Sequence, residues 1–210
     1  MYLNCHTGFS FKYGTLPIKT LFEEAKRCGV HKLALTEINN VSSYLDMLRI
    51  CEENKPAKDG LTKYEKTPYL LDIAVGIEFR NDHELIYIVI ARNNRGFETI
   101  NRFLSYHNRE GKKIPKRAPE FDQVFIIYPF GTIEPDQLKA YEYIGVSKPD
   151  LASFAIHPLR EEYEYKFVAL HAVTFLPPEK NKNGKLIYRD HNTHRLLRCV
   201  AHNTLLSKLP

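Results

Sequence analysis

No stretch of this 210-residue chain approaches the roughly twenty consecutive apolar residues needed to cross a bilayer, and residues 1 to 15 carry no charged and then apolar leader. Neither a membrane span nor export is expected, which points to a soluble, cytoplasmic protein. Paired cysteines are missing too. Cys5, Cys28, Cys51 and Cys199 are far apart, form no CxxC and fall mostly within apolar helical patterns, so they are expected as buried free thiols of a reducing compartment. There is no GxSxG elbow, no GxxxxGK[ST] loop and no cysteine in a thiol-enzyme context, which leaves the ordinary nucleophilic and phosphate-cradling mechanisms without a foothold. No internal repeat is visible. Charge of one sign is only mildly in excess: 30 Lys and Arg against 25 Asp and Glu give a net charge of +5, compatible with nucleic acid but common among proteins that never touch it.

What is present fits one domain large enough to bury a core unaided. Leu21, Phe22, Ala25 and Cys28 share one helical face, and Gly29 follows as a stop signal. Leu33 to Leu35 is a compact strand. Asn40 is placed to cap a second helix carrying Tyr44, Leu45, Leu48 and Cys51, which ends at a polar loop over residues 52 to 67. Strands are expected at Leu70 to Val75 and Leu85 to Ala91, then a helix burying Phe97, Ile100, Phe103 and Leu104. An exposed basic stretch, Arg109 to Arg117, precedes a further strand at Val124 to Ile127. The pattern blurs after Pro135, until a strand at Phe167 to Leu170 and a closing helix over Thr193 to Thr204 with Leu196, Leu197 and Val200 inward. Strands alternating with helices argue for an α/β fold with a mainly parallel sheet.

Several segments carry a resemblance. Leu3 to Gly14 (LNCHTGFSFKYG) resembles the opening LHVHSxYSxxDG of the PHP (polymerase and histidinol phosphatase) domain that begins the alpha subunit of bacterial C-family DNA polymerase III. Ala34 to Asn40 resembles its ALTDHGN, and Val75 to Phe79 its IGCEVY. Ala91 to Ile100 is similar to the polymerase-type AKNEEGYxNL, Val168 to Leu176 stands where that family has VATNDVHYL, and Asp190 to Val200 resembles DxxAHDVLLCI. The resemblance implies a distorted seven-stranded β/α barrel over residues 1–210. Working side chains would gather at the C-terminal mouth.

Intact members of the family hold up to three metal ions there for phosphoester hydrolysis, a chemistry that needs several imidazoles and carboxylates with open positions for water and substrate. Set against that pattern, His6, Glu37 and Glu78 are the surviving metal positions. Asn4, Ile38, Ile86, Ala172 and Thr174 replace ligands. His83 lies three positions before Ile86, and this odd offset along a strand turns it to the other face, as a hairpin or surface group. His171 takes an asparagine place and faces wrongly as well. His191, His194 and His202 are expected as surface or packing groups of the last helix, His194 at a position the family uses structurally.

The resemblance therefore implies a PHP domain opening a longer DNA-directed DNA polymerase, with no catalytic residue of its own and a structural role in replication. No tightly bound cofactor is expected, at most one weakly held divalent ion, with Mg²⁺ serving the polymerase region that follows. Expected partners are the remaining polymerase domains in cis, a proofreading exonuclease subunit, and DNA through the whole polymerase. Lys112, Lys113, Lys116 and Arg117 are candidates for contact with nucleic acid or a neighbouring domain. The alternatives are a metal-dependent phosphoesterase or 3'-5' exonuclease acting at the barrel mouth, and a free-standing binding module.

Overall fold

Ten strands and five α-helices occupy residues 1–55 and 68–209, which the computed structural model describes. In chain order they are β1 (Tyr2–Cys5), α1 (Ile18–Arg27), β2 (Lys32–Ile38), α2 (Tyr44–Glu53), β3 (Asp72–Asn81), β4 (Glu84–Ala91) and α3 (Asn94–Glu110). There follow β5 (Val124–Pro129), β6 (Glu142–Val146), α4 (Leu151–Ala155), β7 (Phe167–Ala169), β8 (Ala172–Val173), β9 (Glu179–Lys180), β10 (Leu186–Ile187) and α5 (Arg189–His202). Most of the loop expected over residues 52–67 lies outside the described residues. The blurred region after Pro135 contains β6 and the five-residue α4, both too short to leave a periodic signal.

The main sheet has eight strands in the order β7-β6-β5-β4-β3-β2-β1-β8, not seven. The extended segment from Phe167 is interrupted at Leu170 and His171: β7 pairs with β6 at one edge and β8 with β1 at the other. Two residues thus connect the opposite edges, and the sheet must curl to allow it. The β1–β2, β2–β3, β5–β6, β6–β7 and β1–β8 pairings are parallel, whereas β4 is antiparallel to both neighbours because it returns from β3 by a tight turn at Asp82 and His83. His83 is exposed there.

Alternation along the strands sends each residue to one of two faces. Ala34, Ile88, Ile90, Ile127 and Leu170 fill the inside of the curl. On the outside, α1 and α2 cover Cys5, Leu33 and Leu35 with Leu21, Phe22 and Met47, while α3 covers Ile77, Phe79 and Val89 with Ile100 and Leu104. Each such aliphatic or aromatic side chain contributes about 2 kcal/mol of burial.

Local signals are met unevenly. Gly29 (φ 64°) ends α1, Asn93 caps α3 by accepting from the Gly96 N–H at 3.1 Å, and Gly111 (φ 61°) closes it. Asn40 does not cap α2. Its side chain instead accepts from the Ser42 N–H and donates to the Phe9 and Ile38 carbonyls, and the helix begins after Ser43. Leu45 is exposed and Met47 buried in its place. On α5, Leu196 and Val200 are 57% and 62% exposed rather than inward. Cys5 and Cys51 are buried, Cys28 is exposed and Cys199 is half-buried, all as free thiols. Among the described residues no helix is long and apolar enough to cross a membrane.

Candidate functional site

The site begins with a bulge. Tyr2 pairs with Leu33 and Cys5 with Leu35, so that two residues of β1, Leu3 and Asn4, stand against one of β2, Ala34; both turn inward while Cys5 keeps to the helix side. His6 follows just beyond the strand. On β3, Ala74 and Glu78 take the inner face, and the β1 and β3 side chains meet across β2, where Thr36 lies between them. Asn4, His6, Thr36 and Glu78 are all buried.

Glu78 is the centre of this group. Its Oε2 accepts from Asn4 Nδ2 at 2.7 Å and lies 3.1 Å from His6 Nε2, and its Oε1 accepts from Arg80 Nε. The Thr36 hydroxyl donates to Asn4 Oδ1 at 2.8 Å, which fixes the amide with its NH₂ toward the carboxylate. Neither nitrogen of the fully buried His6 ring has an aligned hydrogen-bond partner; the approach of Nε2 to Glu78 is close enough for an ion pair but off the N–H direction. Burial pushes the Glu78 carboxyl up, but the His6 ring, Arg80 and the Asn4 amide outweigh it and hold the group at about 2.

Tyr13 closes the mouth. The Arg80 guanidinium stands 4.4 Å from its ring centroid and that of Arg198, from α5, 5.0 Å, while the His6 and His194 rings meet it edge-on at 5.2 and 5.0 Å. The Tyr13 carbonyl accepts from His194 Nδ1 at 2.7 Å. The loop that carries Tyr13 is tightly folded: a Cβ on Gly14 would sit 1.9 Å from the Thr7 carbonyl oxygen. Beyond Arg198, its Nη2 donates to His202, whose ring centroid lies 3.8 Å from that of His83, the two rings tilted 37° to each other. His191 packs against Phe175. Sequence reasoning missed Tyr13, Arg80 and Arg198. Only Tyr13 left a signal, since it stands under the aspartate of the opening motif it resembles.

Glu37 does not join this group. It shares with Leu33 and Leu35 the face of β2 turned to α1 and α2, and its carboxylate accepts from the Thr7 N–H and hydroxyl, the Ser10 hydroxyl and, at 2.6 Å, the Ser43 hydroxyl. Burial, with the Glu37 charge adding to it, pushes the neighbouring Cys5 thiol up to about 12, so it stays protonated.

The replaced positions are spread about. Ala172 pairs with Asn4 in the β1–β8 ladder, and Thr174, two residues further, is buried with its carbonyl accepting from Thr15. Ile38 presents its N–H to the Ser10 hydroxyl, and Ile86 is buried on β4. His171 is exposed. The basic stretch divides in function. Arg117 donates to the buried Glu142 carboxylate at 2.6 Å and covers the Tyr128 ring, whereas Lys112, with its ammonium on the Tyr106 hydroxyl, and Lys113 line a cleft of about 180 Å³ beside Arg80, and Lys116 is exposed. Ile114 interrupts the exposed run, buried and tied by its backbone to the Asn81 amide.

A model of the PHP domain matches residues 3–145, well over half of the chain and all of the strands that build the mouth except β7 and β8. The chain belongs to the PHP domain family. No curated protein matches it. Among solved structures, a candidate metal-dependent phosphoesterase from Bifidobacterium adolescentis is similar at 12% identity and a TM-score of 0.40, with 94% of this chain and 95% of that one covered.

For a PHP domain the question is whether these donors suit metal ions. They do not suit a polynuclear centre. Among the described residues no three His, Cys, Asp or Glu side chains gather where one ion could meet them. His6 and Glu78 are together, Asn4 turns its NH₂ rather than its oxygen inward, and Arg80 holds the second Glu78 oxygen. Four-coordinate sites need one ligand more than this and a free position for water.

Proposed function

We propose that this PHP domain belongs to the alpha subunit of a DNA polymerase III and acts as a scaffold, not a hydrolase. The observation that carries the scaffold reading is the Glu78 carboxylate, whose two oxygens are both engaged by the chain's own Asn4 and Arg80, with the Arg80 guanidinium lying against the Tyr13 ring that Arg198 also meets. Phosphoester hydrolysis needs an activated water and a stabilised leaving oxygen, and a carboxylate committed to a guanidinium offers neither.

The polymerase branch is favoured by the resemblance of Ala91 to Ile100 to the polymerase-type AKNEEGYxNL, a segment whose residues also have specific structural tasks here. Ala91 ends β4, Asn93 caps α3, and Gly96 lies so close to the neighbouring loop that a Cβ there would be 2.0 Å from the Gln123 carbonyl oxygen. In this reading the domain supports the polymerase region in cis and can seat a proofreading exonuclease, and Mg²⁺ is used only in the polymerase region.

The test has two arms. Elemental analysis of the dialysed protein should find less than about one equivalent of transition metal. Turnover on single-stranded DNA or p-nitrophenyl phosphate with divalent ions should equal that of a His6→Ala, Glu78→Ala chain. Two or more ions per chain, or turnover that vanishes in the double variant, would restore the phosphoesterase or exonuclease reading.

A further inference from the structure

We infer that Arg80 is a tethered replacement for a metal ion, a guanidinium that supplies from within the chain the positive charge this mouth would otherwise take from solution. Glu78 is a fully buried carboxylate, and a charge in that position must be matched by a cation at contact distance. Arg80, two residues along the same strand, meets it through Nε, with its side chain only 10% exposed. A guanidinium keeps its charge at every working pH and presents a fixed fork of donors, so it suits a permanent counterion better than an ammonium.

The remaining neighbours hold that guanidinium in place. Tyr13 lies against it at 4.4 Å, and Arg198 presses on the same ring from α5. Asn39 fixes the Arg80 backbone on both sides, its Oδ1 accepting from the Arg80 N–H at 3.0 Å and its Nδ2 donating to the carbonyl at 2.9 Å. His6 keeps two buried ring nitrogens without an aligned partner, one of them 3.1 Å from the same carboxylate. Take the guanidinium away and what is left is an imidazole and a carboxylate, buried and adjacent, with no cation at contact distance and only Arg198 beyond the Tyr13 ring. That is the beginning of a transition-metal site.

This inference rests on membership of the PHP family and on the Arg80–Glu78 contact, not on the polymerase assignment, and its test reads neither polymerase nor hydrolase activity. Arg80→Met keeps the apolar stem and removes the charge. Unfolding midpoints and equilibrium dialysis with Zn²⁺ are compared for the unaltered chain, Arg80→Met, Arg80→Lys and Arg80→Met with Glu78→Gln. The unaltered chain and Arg80→Lys should be indifferent to Zn²⁺. Arg80→Met should lose stability, regain it as Zn²⁺ is added, and bind the ion at least about tenfold more tightly than the unaltered chain. The added Glu78→Gln should abolish that gain. If Arg80→Met folds poorly, refolding in Zn²⁺ must recover it. Equal Zn²⁺ binding with and without Arg80, a metal response that survives Glu78→Gln, or an Arg80→Met chain that neither folds nor binds in Zn²⁺ would each overturn the inference.

Discussion

Glu37 and Glu78 are buried carboxylates on adjacent parallel strands, yet they lie on opposite faces of the sheet. In the β2–β3 register Glu37 stands beside Ile77 and Glu78 beside Ile38, a one-residue offset that, at a side-chain period of two, reverses direction. One serves the mouth and the other the helix side, where it ties Thr7, Ser10 and the start of α2 to a single point.

Glu37→Ala should therefore act on stability alone. It strands the Thr7 N–H and the Ser10 and Ser43 hydroxyls, each of which donates to the carboxylate, and the loss should be on the order of 3 to 5 kcal/mol. Urea unfolding measures it. Zn²⁺ or Mn²⁺ binding, whatever its level, should be the same before and after the change, and a fall in metal binding would place Glu37 back in the mouth.

Asn4 is a relay between Thr36 and Glu78, so its two ends should be separable. Asn4→Ala removes an acceptor from the Thr36 hydroxyl and a donor from the carboxylate, at a cost of about 2 to 3 kcal/mol. Thr36→Val, by leaving the amide anchored only at Glu78, should cost about 1 kcal/mol, and in the double variant the two effects should fall short of their sum because they share one chain of hydrogen bonds. Strict additivity in that cycle would show that the relay is not a unit.

Much of this was legible in the residues. The spacing of Leu21, Phe22 and Ala25, the cap and stop around α3, and the runs that became β2, β4 and β5 all depend on neighbours within a few positions, which is what periodicity reports. The resemblance also set His6, Glu37 and Glu78 at one mouth as the surviving metal positions; His6 and Glu78 do meet there, whereas Glu37 turns to the helix side. What stayed hidden needed the fold. Arg80 looks like any surface arginine of a strand, Arg198 sits in a helix 118 positions later by its number, and only the curl of the sheet sets both against Tyr13. Leu196 and Val200 failed as inward residues because α5 packs through Arg198 and His194 instead, polar groups that a hydrophobic pattern cannot favour. The strand break at Leu170 and His171, which made eight strands of an expected seven, follows from closure at two edges and has no local signature.

Acid should unfold the protein in two stages. Burial lowers His194 from its ordinary 6.5, helped by Arg198, His191 and His6 and opposed by the Tyr13 carbonyl. A group depressed by folding contributes stability that is present above 6.5 and lost as pH falls through the lower folded value. Glu78 adds a second component, present above 4.5 and lost as pH falls toward about 2. Urea midpoints followed from neutral to strongly acidic buffers should show both, and His194→Gln should remove the first while sparing the second. A chain equally stable across the first window would contradict the packing of α5 on Tyr13.

The basic stretch should separate into a structural and a free part. Arg117 neutralises Glu142, whose carboxylate is buried and also accepts the Lys139 N–H at 2.8 Å and the Tyr128 hydroxyl. Arg117→Ala removes the cation in contact with that carboxylate and leaves the buried Lys166 ammonium, which donates to the Glu142 carbonyl, as a neighbouring positive charge; allowing for a guanidinium that is 41% exposed and partly screened, the loss should be about 2 kcal/mol. Lys113 and Lys116 are exposed on the same loop, and Ala at both should change stability by no more than about 0.5 kcal/mol. If this loop tracks a phosphate backbone, the double Lys variant should weaken retention of single-stranded DNA at low salt and flatten its salt dependence, because each lysine lost releases about one fewer counterion on binding. Arg117→Gln, which keeps a donor near Glu142, should leave that retention unchanged. DNA retention that depends on Arg117 and not on the lysines would mean that the guanidinium turns outward in solution, and Glu142 would then need another partner.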